Sequence, residues 1–148
     1  MSERGWVTVE NEVEIARRPE DVFDYLTDVT NEVAWNPRTR RVEKLTPGPI
    51  GLGTRFEAEW IKGNPTIVEY VRFERPTAWA SIARSRRLDA KGAGLVSPAE
   101  HGSRVTVTTE LRPNGLLALL LPLMRRTMHA REERNLESVK AIMEGNGS

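Results

Sequence analysis

The sequence predicts an α+β fold, in which an antiparallel sheet of about seven strands curves around one long C-terminal helix and two short helices follow the first strand. Three observations predict it. From Trp6 to Ile15 the apolar side chains Val7, Val9, Val13 and Ile15 alternate with Thr8, Glu10, Glu12 and Glu14, the period of two of a strand with one wet face. After Pro37 six further extended stretches are separated by turn residues, and connections so short force antiparallel pairing, since a parallel return needs about a dozen residues. From Leu116 to Met143 the positions Leu117, Leu121, Met124, Met128, Val139 and Ile142 fall on one stripe at roughly 100° per residue. A sheet with one apolar face and a helix with a matching stripe bury both by packing together.

Each element has its own signal. Pro19 suits the first position of a helix, with Glu20 and Asp21 at its positive end and Val22, Phe23, Leu26 and Val29 at helical spacing. A second short helix, about Thr30 to Trp35, ends before Pro37 because the residue preceding proline avoids the helical region. The extended stretches are Thr39–Leu45, Thr54–Ile61, Pro65–Phe73, Trp79–Leu88, Lys91–Ser97 and Arg104–Leu111. Breakers lie between them at Pro47-Gly48-Pro49, Gly63-Asn64-Pro65, Arg75-Pro76, Lys91-Gly92 and His101-Gly102-Ser103. Pro122 either kinks the last helix or begins its regular part, and Gly145 and Gly147 stop it.

Composition narrows the function. A chain of 148 residues fits a single domain, 1–148, that buries roughly 70% of its unfolded surface. A net charge of +1 gives no strong field for nucleic acid or anionic membranes. Basic clusters at Arg38–Arg41, Arg84–Arg87 and Arg125-Arg126 lack an aromatic stacking platform, so no nucleic-acid partner is expected. The absence of cysteine excludes disulfides and thiolate chemistry. The opening MSERGWVTVENEVEI has charges where a signal peptide needs an apolar core, and the run Leu116 to Met124 is far below the roughly 20 residues of a membrane span; a cytoplasmic location is expected.

The segment Val13 to Pro37, VEIARRPEDVFDYLTDVTNEVAWNP, together with Gly51-Leu52-Gly53-Thr54-Arg55-Phe56 and Asn135-Leu136-Glu137-Ser138-Val139-Lys140 followed by Glu144, resembles the polyketide cyclase/dehydrase and START-like family (SRPBCC or Bet v 1-like superfamily). The matches span nearly the whole chain. The resemblance implies a helix-grip fold and, between sheet and C-terminal helix, an internal cavity that binds a small apolar ligand, lipid-like or polycyclic. It also implies alternatives: a cyclase or dehydratase using the same cavity, or a chaperone-activating-like interaction module with a collapsed interior. One scaffold carries all of these, so chemistry must be read from the site.

Inward polar residues are the informative exceptions. Strict alternation turns the Asn11 amide inward, where it needs a partner. Glu132 and Asn135 lie within about 40° of the Met128 direction on the last helix. Either these three orient a ligand, with Glu132 as acid or base, or Asn11 sits at a bulge and Glu132 snorkels to solvent or pairs with Arg131, Arg134 or an arginine of another strand. Phe56 and Trp60 share a strand face with Ala58, and Met124 and Met128 oppose them, as a packed core or a soft lining. Tyr70 falls in phase with Val68, but Ile67, Val71 and Phe73 make an equally good apolar face; a slip or bulge reverses the choice. By the resemblance, Trp35 packs the short helices and borders the pocket mouth. The candidate ligand-binding set is therefore Asn11, Trp35, Phe56, Trp60, Tyr70, Met124, Met128, Glu132 and Asn135.

No cofactor or metal is expected. Gly51-x-Gly53 precedes a strand rather than a helix, and His101 and His129 are too separated for a metal centre, leaving His129 and Glu133 as a helical pair. Leu116–Leu123 beside Arg125 and Arg126 offers an edge for transient membrane contact, or simply closes one end of the pocket.

Overall fold

Strict alternation makes β1 (Val7–Ile15), with every odd residue buried. The computed structural model describes residues 5–61, 64–85, 88–113, 119 and 121–145. Helix α1 (Pro19–Thr27) starts on proline, keeps Glu20 and Asp21 in its first turn and buries Val22, Phe23, Leu26 and Thr27. A 3₁₀ turn (Val29–Asn31), capped by the Asp28 side chain on the Thr30 amide at 3.1 Å, leads into α2 (Glu32–Trp35).

The remaining strands are β2 (Thr39–Lys44), β3 (Arg55–Trp60), β4 (Thr66–Glu74), β5 (Ala78–Arg84), β6 (Leu88–Ala99) and β7 (Gly102–Pro113). All pair antiparallel in the order β1-β7-β6-β5-β4-β3-β2, curled as a half-barrel about the C-terminal helix. The expected fold is thus the observed one. The convex side is wet: Arg41 reaches Glu57 at 2.9 Å and Glu59 at 3.4 Å, and Arg104 reaches Glu14 at 2.7 Å. Such exposed pairs contribute little stability, but the charge on edge strand β2 opposes pairing with another chain.

Two strand details differ from the sequence reading. The break expected at Lys91-Gly92 lies inside β6; the chain reverses earlier, where the Ser85 amide and hydroxyl donate to the Leu88 carbonyl at 3.0 and 2.7 Å. Gly92 pairs with Ser81 on one side and Thr109 on the other, so ladders on both flanks override its turn preference. In β4 a bulge lies between Tyr70 and Arg72, leaving Val71 48% exposed. Tyr70 therefore points inward before the bulge and Phe73 packs inward after it, while Ile67 stays exposed.

Gly94 marks a close approach. A Cβ there would stand 2.2 Å from the Trp79 ring. Gly94→Ala should lower stability by about 1–3 kcal/mol, measurable as a fall in the urea midpoint, because the fully packed indole has no room to yield.

Helix α3 (Leu121–Lys140) holds Pro122 in its first turn, so the proline begins the regular helix, and it passes into a π turn (Ala141–Gly145). Its buried stripe is Met128, Asn135, Leu136, Val139 and Met143, at successive spacings of seven, one, three and four. Ile142, expected in that stripe, is 39% exposed, whereas Met143 is buried. Leu116 and Leu117 lie outside the described residues; Leu119 and Leu123 are 77% and 70% exposed. The far end of the helix is tied to the β1–α1 junction: Lys140 donates to the Glu14 carbonyl at 2.6 Å, Arg17 to the Met143 carbonyl at 2.9 Å, and the Ala16 amide to Glu144 at 2.8 Å. No helix among the described residues is long and apolar enough to cross a membrane.

Candidate functional site

The interior is divided. A large apolar cluster, including Ile15, Phe23, Phe56, Tyr70, Trp79 and Val139, fills the end beneath α1. A small one, Val7, Val9 and Met128 with Leu111 against it, lies at the opposite end. Between them stand Asn11 of β1 and Glu132 and Asn135 of α3, the polar residues that the alternation and the helical stripe turn inward.

The floor beside the small cluster is built of small side chains. Directly paired residues share a face, and from Val9 the ladder runs through Thr109 of β7 and Gly92 of β6 to Ser81 of β5, and from Val7 through Leu111 and Ala90 to Ala83. Ser81, Ala90, Gly92, Val107 and Thr109 are only half-buried although they face the helix side. Two hollows are lined wholly by described residues: one of about 370 Å³ between α1 and the π turn, away from this floor, and one of about 200 Å³ near Trp6 and Arg112 that Ala83 and Ala90 also border.

Asn11 sits in a regular stretch of ladder opposite Val107, not at a bulge. Its Nδ2 donates to the His129 carbonyl of α3 at 3.2 Å; its buried Oδ1 has no partner among the described residues. Glu132 makes no ion pair among the described residues, with Arg131, Arg134 or any other arginine, unlike one of the two readings of the sequence. Burial pushes its carboxyl up to about 7, repulsion from Glu32 adds to this, and a hydrogen bond from Asn135 opposes it.

Glu32 is the residue that sequence reasoning missed. One of its oxygens accepts from Thr39 Oγ1 at 2.5 Å, Trp60 Nε1 at 3.0 Å and Asn36 Nδ2 at 3.3 Å. Its spacing of four from Asn36, just ahead of Pro37, was the available signal. Trp60 is thereby aimed at α2. Trp35 packs against the large cluster with its Nε1 buried and without a partner among the described residues.

The other candidates stand in the following surroundings. Phe56 is fully buried edge-to-face on Tyr70, ring centroids 6.1 Å apart, and the Tyr70 hydroxyl donates to the Thr27 carbonyl at 2.7 Å. Burial, with Asp28 and Glu32 nearby, pushes the Tyr70 hydroxyl far above the usual phenol range. Met128 closes the small cluster, and Met124 is half-buried one turn before it. Arg131 is lowered by burial and by the charges of Arg38 and Arg134; none of these three arginines forms an ion pair among the described residues. No cluster of metal-ligating side chains occurs among the described residues.

Because the raised Glu132 carboxyl holds its proton in the folded state while the unfolded chain releases it near 4.5, the folded state is favoured below pH 4.5 and loses that advantage as pH rises to about 7. Compared with Glu132→Gln in urea titrations, the wild type should lose on the order of 1–2 kcal/mol between pH 4.5 and 7.5 and change no further above it.

The profile described as Polyketide cyclase / dehydrase and lipid transport matches residues 7–144. The chain belongs to this family. Among solved structures, the di-domain ARO/CYC StfQ from the steffimycin biosynthetic pathway aligns at TM-score 0.73 and 16% identity, covering 92% of this chain and 50% of StfQ. This family member thus spans about half the length of StfQ. Protein CV1439 from Chromobacterium violaceum aligns at TM-score 0.69 and 13% identity, covering 95% and 99% of the two chains. Ara h 8.0201 aligns at TM-score 0.59 and 14% identity, covering 91% and 99%. At these identities the likeness is one of fold. No curated protein matches the chain.

Proposed function

We propose that this member of the polyketide cyclase/dehydrase and lipid transport family binds a small, largely apolar molecule, lipid-like or polycyclic, between the concave sheet and α3. One observation carries the reading: beside the small apolar cluster the inward face is floored by Ser81, Ala90, Gly92 and Thr109, which remain half-buried. Small side chains leave room that the large cluster does not, and Asn11, Glu132 and Asn135 supply the few polar groups that would orient a guest. Native mass spectrometry of freshly purified protein should reveal a retained small molecule of low polarity. Protein that carries none, and that takes up no apolar probe when offered one, would reject the reading.

A second reading, catalysis of a cyclase or dehydratase type at the same place, is favoured by the position of Glu132 inside the groove, where burial pushes its carboxyl up to about 7, the range in which an acid–base group works best. If it holds, Glu132→Gln abolishes turnover of a poly-β-carbonyl substrate while leaving ligand retention intact; unchanged turnover dismisses it.

A further inference from the structure

Glu132 and Glu32 divide their roles by their hydrogen bonds. Three donors, from Thr39, Trp60 and Asn36, converge on one oxygen of Glu32 and hold that side chain in place. Glu132, facing it from α3, has no cation paired with it among the described residues: Arg38, Arg131 and Arg134 make no ion pair with it. The other nearby groups do not neutralise it either. From β1 the inward group is the neutral amide of Asn11, while Glu10 and Glu12 point outward; from β3 the inward group is Trp60, whose N–H is committed to Glu32. On its own helix Asn135 is neutral, and His129 and Glu133 are exposed. A buried carboxyl beside a fixed anion keeps its proton, and so presents an O–H rather than an anion.

We infer that Glu132 stands in the groove as a neutral carboxylic acid whose O–H donates to a carbonyl oxygen of the bound molecule, so that the site selects an oily ketone, quinone or ester over a hydrocarbon of the same shape. The inference rests on the proposed groove. It names the chemistry of the guest, which apolar packing alone leaves open. Burial holds the proton on Glu132, and Glu32 acts as a positioning residue whose repulsion adds to that effect.

The test uses two probes with one skeleton, 9-fluorenone and fluorene, titrated into the full chain by tryptophan quenching at pH 6 and pH 9. Wild type should bind fluorenone about tenfold more tightly than fluorene at pH 6, and the two within about twofold at pH 9, where the O–H has been lost. Glu132→Gln, whose amide N–H still donates at any pH, should keep the preference at both. In protein labelled with 13C at glutamate carboxyls, the signal missing from Glu132→Gln should titrate near neutrality and move to lower pH in Glu32→Gln. Equal binding of the two probes at pH 6, a preference independent of pH in the wild type, or a Glu132 signal titrating below pH 5 would each overturn the inference while leaving the groove standing. Equal binding is also the result if the O–H is spent internally on Asn11 Oδ1. Failure of both probes to bind at either pH would remove the groove itself.

Discussion

Ser81→Phe should empty the site without unfolding the protein. Ser81 lies on the concave face between Tyr70 and Gly92, and its Oγ is 3.3 Å from where a Gly92 Cβ would stand, so the side chain at 81 already leans over the glycine. A phenyl ring there extends across the floor that the small residues leave free. Aromatic residues suit strands, so stability should change by no more than about 1 kcal/mol. Affinity for an apolar probe such as fluorenone should fall on the order of 100-fold, about 2.7 kcal/mol, and any molecule retained by the wild type should be missing from the native mass spectrum. Undiminished binding by the folded variant would place the guest elsewhere, with the hollow between α1 and the π turn the next position to test.

Phe23→Ala should be the most destabilising single truncation, at about 3–5 kcal/mol. The ring is fully buried and meets Phe73 and Trp79 edge-to-face, with centroids 5.2 and 5.7 Å away. It joins α1 to both sides of the β4–β5 hairpin, and removing it leaves a void bounded by two aromatic rings that cannot collapse onto each other. A chemical-denaturation midpoint that moves by less than about 1 kcal/mol would show that α1 contributes little to this end of the core. Because the large cluster is separate from the polar band, the same variant should bind apolar probes normally wherever it remains folded.

The fold was legible because its signals are redundant. Alternation set β1, proline set α1, and hairpin spacing set the antiparallel sheet; an error in any one changes little. Finer features depended on partners that no local window contains. Gly92 read as a turn because glycine is locally a breaker, yet it is held by Ser81 and Thr109 from two neighbouring strands. The bulge at Tyr70 was visible as two competing apolar sets, but only the pairing with β5 shows where the phase changes. The inward direction of Asn11 followed from period two, and the placement of Glu132 and Asn135 from helical angle. Glu32 was hidden because α2 has only four residues and carries no periodicity. The small floor was written in the sequence as Ala90, Gly92 and Gly94 at every second position, a pattern obscured by reading Gly92 as a break.

The strand order has a consequence for how the chain is made. β1 lies against β7, and Val7 pairs with Leu111, so the first strand to leave the ribosome waits for the last before its backbone is satisfied. The Lys140, Met143 and Glu144 contacts to the β1–α1 junction come later still. During synthesis the five strands from β2 to β6 can zip in sequence while β1 waits, its alternating valines exposed to whatever is nearby. Emergence of the C-terminal segment is therefore the event that closes the nascent domain, and a translational pause before residue 102 would leave an unpaired apolar strand for chaperones to shield.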